Sequence, residues 1–169
     1  QQDYVSKIHR AGLSLLGIIN DVLDFSKIEA GKLETENVDF SLDEVLNHVS
    51  TVTSQKAHDK QLEYIFHVPS NVPRQLVGGP LRLGQVLVNL VNNAIKFTEC
   101  GSVTLRARCL EESEASALIR FEVEDTGVGI ESAVISRLFC AFEQADNSTT
   151  RKFGGSGLGL AITKRLVEL

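Results

Sequence analysis

The sequence predicts an α+β protein: a long amphipathic helix followed by strands and helices in alternation. Three observations carry this. Apolar residues keep a helical period over residues 3–29. Two alternating stretches, 102–110 and 118–124, flank a polar turn as hairpin strands do. Between them and the first helix, Pro80 opens a further periodic segment that runs to Phe97. At 169 residues and 43% hydrophobic content, the chain can form one full-sized core with an appendage.

In order along the chain, Val5, Ile8, Leu15, Ile19 and Val22 form a heptad-like stripe, widened by Leu16 and Leu23. This first helix wants partner helices, and Ala30-Gly31 ends it. A domain boundary is therefore expected near Gly31, giving a helical segment 1–30 and a second domain 31–169. Residues 33–40 alternate and are expected as a strand. Ser41 and Glu44 have capping-box spacing, with Phe40 and Val45 set as a hydrophobic staple, so a helix should run from there to about residue 57. A strand is expected over 62–68, then a loop marked by Pro69, Asn71 and Pro73. In the helix from Pro80 to Phe97, Leu87, Leu90, Val91 and Ile95 supply the buried side. The two hairpin strands turn Val103, Leu105 and Ala107, then Ile119, Phe121 and Val123, to one face. A short helix over 132–138 precedes a polar stretch, 144–152, too rich in Asp, Asn, Ser and Thr for a core and expected as a lid. A final helix covers 158–169.

Composition narrows the function classes. A net charge of −5 leaves no general basic surface, which argues against a nucleic-acid partner. The strongest apolar cluster of the first helix, residues 13–19, is far shorter than the roughly 20 residues of a membrane span, so no direct membrane contact is expected. The start of the chain does not read as a signal peptide. Cys100, Cys109 and Cys140 are odd in number and lack paired-ligand spacing, which fits a reduced, cytoplasmic setting better than a disulfide framework or a zinc site.

Four ordered segments bear on chemistry. Asn89, Asn93 and Lys96 lie at i, i+4 and i+7 and share one helical face. Amide oxygens are hard ligands suited to Mg²⁺, and the lysine supplies charge for phosphates; the same spacing also describes a polar outer face. Asp125 ends an apolar strand and is followed by Gly127, Gly129 and Ile130. That pattern suits a carboxylate that accepts from an adenine amino group while backbone comes close, and it also describes a simple turn. Leu138-Phe139-Cys-Ala-Phe142 adds aromatic surface. The run Gly154-Gly155-Ser156-Gly157-Leu158-Gly159-Leu160 leads into a helix, where free N–H groups favour an anion. Leu160 stands where a Rossmann fingerprint would need Gly and a Walker loop would need Lys, so neither phosphate loop fits. Together the segments outline a pocket for a purine, a metal ion and a triphosphate.

In this order the segments resemble the asparagine, first glycine, phenylalanine and second glycine boxes of the ATP-binding domain of sensor histidine kinases. Those kinases belong to a superfamily shared with gyrase, heat-shock chaperone and mismatch-repair ATPases. The resemblance extends through Gln85-Val-Leu-Val-Asn89-Leu to Phe97-Thr98, and through Phe142-Glu-Gln-Ala-Asp146 to Leu160-Ala-Ile162. Residues 15–32 are similar to the second helix of the dimerisation and phosphoacceptor hairpin of such kinases, especially hybrid ones. The implied fold is the Bergerat ATP-binding fold, a two-layer α/β sandwich with a mixed sheet covered by helices on one face. The implied ligands are ATP and Mg²⁺. By resemblance, Asn93 holds Mg²⁺ with Asn89 assisting, and Lys96, Arg151 and Lys152 meet phosphates. Asp125 reads adenine with Gly127, Gly129 and Ile130 around it, Phe97 and Phe142 line the pocket, and Gly155, Ser156, Gly157, Leu158, Gly159 and Leu160 close over the triphosphate.

The implied activity is transfer of the γ-phosphoryl group to a histidine, later relayed to a response-regulator receiver domain. Gyrase-like and chaperone-like members carry a Glu four residues before the metal-binding Asn, as a general base for water. Asn89 stands there instead, which favours phosphotransfer over hydrolysis. A nucleotide-sensing module without transfer is the alternative, and a hydrolysing ATPase a further one. The chain departs from the pattern in three ways. His9 is followed by Arg10-Ala11-Gly12 rather than a phosphoacceptor motif, and His48, His58 and His67 lack that context too, so the acceptor hairpin is expected to be a partner. Gly78-Gly79-Pro80 replaces a Gly-Asp-Pro loop. Closing strands that normally follow the last helix are expected to be missing, leaving an open sheet edge. The exposed stripe of the first helix makes a homodimer a further expectation.

Overall fold

The computed structural model describes residues 2–33, 36–135, 137–141 and 157–169. They fall into two units, residues 35–131 and residues 1–34 with 132–169.

The unit 35–131 is a two-layer α/β sandwich. Its elements are β1 (Val38–Ser41), α2 (Leu42–Asp59), β2 (Glu63–His67), β3 (Gln75–Gly78), α3 (Pro80–Phe97), β4 (Ser102–Glu112) and β5 (Ala117–Asp125), with α1 (Gln2–Glu29) preceding them in the chain. The mixed sheet has the order β2-β4-β5, with β2 parallel and β5 antiparallel to β4. A separate antiparallel pair joins β1 to β3, from Val38 opposite Gly78 to Ser41 opposite Gln75.

The core lies between α2, α3 and one face of the mixed sheet. Val103, Leu105 and Ala107 of β4 are wholly buried, and Tyr64, Phe66, Ile119, Phe121 and Val123 pack against the same cluster. Period-2 alternation thus turns the residues expected from sequence to the helices. The other face bears Arg106, Arg108, Arg120, Glu122 and Glu124, whose ion pairs link β4 and β5 or lie within β5. From α2 come Leu42, Val45, Leu46 and Val49, and from α3 Leu87, Val91, Ala94 and Ile95. Burial of a side chain such as Leu87 contributes roughly 1.5–3 kcal/mol. Leu90, expected on the buried side of α3, is only partly covered, and Gly84 and Ala94 occupy that side instead. Their small size lets α3 approach α2, and a Cβ on Gly84 would lie 3.8 Å from a Val45 methyl.

Several boundaries differ from the sequence expectation for physical reasons. Among the described residues, the strand expected over 33–40 is seen only at Val38–Ser41, where its partner β3 offers four residues to pair. β3 itself was not expected. Ser41 does precede α2 in extended conformation, but its side chain makes no capping bond. Ser41 is the last residue of β1, and the N–H of Leu42, the first helical residue, donates to the Arg74 carbonyl at 2.8 Å. At its other end α2 closes in a Schellman motif: the Leu62 N–H reaches the Ala57 carbonyl, the Gln61 N–H reaches that of His58, and Gln61 adopts a φ of 55°.

In the other unit, α1 is a single 28-residue helix. Its stripe is open to solvent, with Ile8 72% and Leu15 59% exposed. The short α4 (Ser132–Ile135) and the final α5 (Gly159–Glu168) belong to the same unit. An Arg165–Glu29 ion pair at 3.4 Å links α5 to α1. The lid expected over 144–152 lies outside the described residues. Among the described residues no helix is long and apolar enough to cross a membrane.

Candidate functional site

The site builds from α3 outward. Leu87, Val91, Ala94 and Ile95 bind one side of this helix into the core, which fixes the rotation of the other. Asn89, Asn93 and Lys96 consequently share a half-buried polar face, as their spacing predicts. The Asn93 side chain makes no hydrogen bond among the described residues, so its amide is available to a ligand. The Lys96 ammonium lies 4.8 Å from the Phe97 ring centroid, a cation–π distance. Burial lowers the Lys96 pKa below the ordinary lysine value.

The C-terminus of α3 runs directly into the second part of the site. The Thr98 N–H donates to the Ala94 carbonyl at 3.0 Å and its hydroxyl to the same oxygen at 2.7 Å. That hydroxyl lies 3.5 Å from Asp125 Oδ1, at the outer limit of a hydrogen bond. Asp125 ends β5, opposite Val103. Its Oδ1 accepts the Gly127 N–H at 2.8 Å, an Asx turn, while Oδ2 accepts no hydrogen bond among the described residues. Asp125 is exposed, with one carboxylate oxygen held by the turn.

Glycine at 127 is a steric necessity. A Cβ there would fall 2.5 Å from the Phe97 carbonyl oxygen and 2.7 Å from Asp125 Oδ1. The Asp125 loop therefore sits backbone to backbone against the end of α3, and this contact joins the two motifs. Gly129 follows with a φ of 69°, and Val128 and Ile130 are exposed beside it.

Two lysines that sequence reasoning missed support this arrangement. Lys60, just after α2, donates to the carbonyls of Ile95, Lys96 and Thr98 at 2.6, 2.8 and 2.9 Å. Lys56 donates to the Asn92 side-chain oxygen at 2.7 Å. Both contacts span more than thirty residues of sequence and leave no local signature.

The glycine-rich segment is described only from residue 157. Gly157 has a φ of 69°, Leu158 is buried, and Gly159 and Leu160 open α5. Phe142, Arg151, Lys152, Gly155 and Ser156 lie outside the described residues.

The donor set is compatible with Mg²⁺. Among the described residues no three His, Cys, Asp or Glu side chains gather as a cage. Two amide oxygens on one helical face would leave most of an octahedral shell to phosphate oxygens and water, the usual way Mg²⁺ is held beside a nucleotide.

Comparison with known proteins agrees with this geometry. Residues 78–169 match the family model described as histidine kinase-, DNA gyrase B-, and HSP90-like ATPase. The chain is 51% identical over 168 residues to the sensor histidine kinase GacS of Pseudomonas protegens, covering 99% of this chain and 18% of GacS. It is 48% identical over 168 residues to the signal transduction histidine-protein kinase BarA of Escherichia coli, again covering 99% of this chain and 18% of the relative. This chain thus spans about a fifth of each relative's length. Among solved structures, full-length ShkA in complex with AMPPNP superposes with a TM-score of 0.80 at 36% identity, over 99% of this chain and 34% of ShkA. The α/β sandwich is accordingly the Bergerat fold, and the chain belongs to the histidine kinase-, DNA gyrase B- and HSP90-like ATPase family, as a histidine-kinase catalytic domain.

Proposed function

We propose that this chain binds ATP with Mg²⁺ and donates the γ-phosphoryl group to a histidine on a phosphoacceptor hairpin outside it, within a two-component signalling kinase. The observation that carries this reading is the junction of α3 with the Asp125 loop. It sets the helix that carries a metal-compatible amide and a phosphate-compatible ammonium against the loop that carries an exposed carboxylate.

In this reading Asp125 Oδ2 accepts the adenine amino group, and Phe97 with Ile130 lines the base. Gly127 and Gly129 let backbone approach it. Asn93 and Asn89 hold Mg²⁺, which when bound neutralises phosphate charge. Lys96, with Arg151 and Lys152, meets the phosphates, and the segment from Gly155 through Leu160 closes over them with Phe142. An imidazole nitrogen of the acceptor attacks the γ-phosphorus, the bond to the β-phosphate oxygen breaks, and ADP leaves. The amide at Asn89 cannot take a proton from water as a carboxylate would, which favours the imidazole over hydrolysis.

Residues 1–30 fit the second helix of the phosphoacceptor hairpin, with 31–169 as the catalytic domain. The exposed stripe of α1 suits packing against the rest of that hairpin and its copy in a homodimer. A response-regulator receiver domain is the downstream acceptor, in the cytoplasm. The names of the relatives as sensor and signal-transduction histidine kinases support this assignment.

The test is to mix the chain with a separately made phosphoacceptor hairpin and ATP labelled at the γ-phosphate, with and without Mg²⁺. Acid-labile, Mg²⁺-dependent label on the hairpin is expected. Tight ATP binding without label would favour a nucleotide-sensing module, and phosphate release insensitive to the hairpin would favour a hydrolysing ATPase.

A further inference from the structure

The last carbonyls of a helix have no intrahelical donors and must find others. At the end of α3 two of them, on Ile95 and Lys96, meet one donor group together with the Thr98 carbonyl, and the carbonyl before them, on Ala94, is bonded twice. Ala94 O takes the Thr98 N–H and hydroxyl. Ile95 O and Lys96 O take the Lys60 ammonium, which also binds Thr98 O beyond the helix. Phe97 O is the oxygen that a Cβ on Gly127 would strike. One side chain from the far end of α2 thus grips both sides of Phe97.

The grip is well built. Lys60 is the C-cap residue of α2, and the Schellman turn around it fixes its backbone, with Gln61 held at a φ of 55°. Three short bonds match the three hydrogens of an ammonium. The group also sits at the negative end of the α3 dipole, equivalent to roughly half an elementary charge. Left uncompensated, that end would repel the phosphates that Lys96, in the same last turn, has to attract.

We infer that Lys60 is a positioning residue for nucleotide binding: by holding the Ile95, Lys96 and Thr98 carbonyls it sets Lys96 and Phe97, and through Thr98 the Asp125 loop. The inference rests on the ATP-binding reading given above. Lys60 itself touches no substrate. Its effect is exerted through the backbone of residues 95–98 and through the charge it places there.

Two measurements on the 169-residue chain test this, both made well below the melting temperature. The first, without nucleotide, is amide hydrogen exchange in Lys60→Met, with residues 49–53 of α2 as internal reference. Exchange at 97 and 98 should accelerate about tenfold while the reference is unchanged, as expected for local opening of an unclamped helix end. The second is ATP affinity by calorimetry. Lys60→Met should weaken binding about tenfold, the effect of losing one hydrogen bond to a charged group. Lys60→Arg, which keeps the charge and several donors, should recover most of both effects. A purely stabilising role would lower the melting temperature and leave affinity and local exchange as in the parent chain; that result overturns the inference. Weakened affinity with unaltered exchange at 97 and 98 overturns it too, because Lys60 would then act on nucleotide directly. Should the Met variant not fold, Lys60→Gln carries the same criteria. A parent chain that binds no ATP refutes the functional reading, and the exchange experiment then still decides whether Lys60 holds the end of α3.

Discussion

The two ends of α3 are built to different standards. At the N-terminus, Gly79 offers no capping side chain, the first turn carries no acid, and Pro80 merely removes one N–H that would need a partner. At the C-terminus, Thr98 and Lys60 together supply five donor contacts to the carbonyls of residues 94, 95, 96 and 98, and the Asp125 loop is pressed against the Phe97 carbonyl. The end that carries Asn93, Lys96 and Phe97 is over-determined, and the end that carries no ligand group is left plain. A binding site needs groups held to within fractions of an ångström, whereas a helix start needs only to be tolerable.

Asp125→Asn tests the over-determined end most severely. The amide still accepts from the Gly127 N–H, so the turn should persist, but the charged acceptor is gone. Loss of a hydrogen bond to a charged group costs about 1.5–3 kcal/mol, or roughly 10- to 150-fold in affinity. Calorimetric titration with ATP should register that loss with little change in the melting temperature. Unchanged affinity would remove Asp125 from the site and leave the elaborate C-terminal end without a ligand to serve.

Gly127→Ala attacks the same end through sterics. Gly127 does not need the left-handed region, so the penalty comes from the Cβ at 2.5 Å from the Phe97 carbonyl. Carbonyl and loop must separate, at about 1–3 kcal/mol as for other overpacked sites. Denaturant melts should show the destabilisation, and ATP affinity should fall with it. A neutral result would mean that the loop and helix end are not rigidly joined.

Much of this architecture was legible in the sequence. Pro80 and the apolar period fixed α3, and strict alternation fixed which residues of β4 and β5 face the core. What escaped was non-local. β3 is four residues long, lies between Pro73 and Pro80, and has its partner more than thirty residues earlier, so no local pattern marks it. For the same reason the Lys60 clamp was invisible: a lysine after an amphipathic helix looks like any solvated lysine. The Ser41–Glu44 pattern misled in the opposite direction: Ser41 joined a ladder opposite Gln75, and its side chain makes no capping bond.

Lys96 links the comparison to pH. Burial depresses its pKa in the folded chain, so the folded state releases this proton before the unfolded state does. Its contribution to stability is therefore present above the ordinary lysine value and is lost as pH falls through the depressed one. Bound phosphate favours the ammonium and raises the pKa again. ATP binding at about pH 9, below the ordinary lysine value, should thus take up a fraction of a proton. Titrations in two buffers of different ionisation enthalpy measure that uptake, and Lys96→Met should abolish it. Uptake that survives in the variant would assign the proton to another group.

The plain end of α3 gives the smallest effect and sharpens the contrast. Gly79→Asp would supply the missing N-cap, and an acidic side chain at this position also meets the positive end of the helix dipole. Replacing Gly by a good N-cap is worth only a few tenths of a kcal/mol. Against this, the new Cβ would lie 3.3 Å from the Glu36 carbonyl oxygen, tight enough that the backbone before β1 must shift slightly. Denaturant melts should therefore find a gain of at most about half a kcal/mol, with ATP affinity unchanged. If ATP affinity moves with this substitution, the two ends of α3 are coupled, and the division between a plain start and a functional end fails.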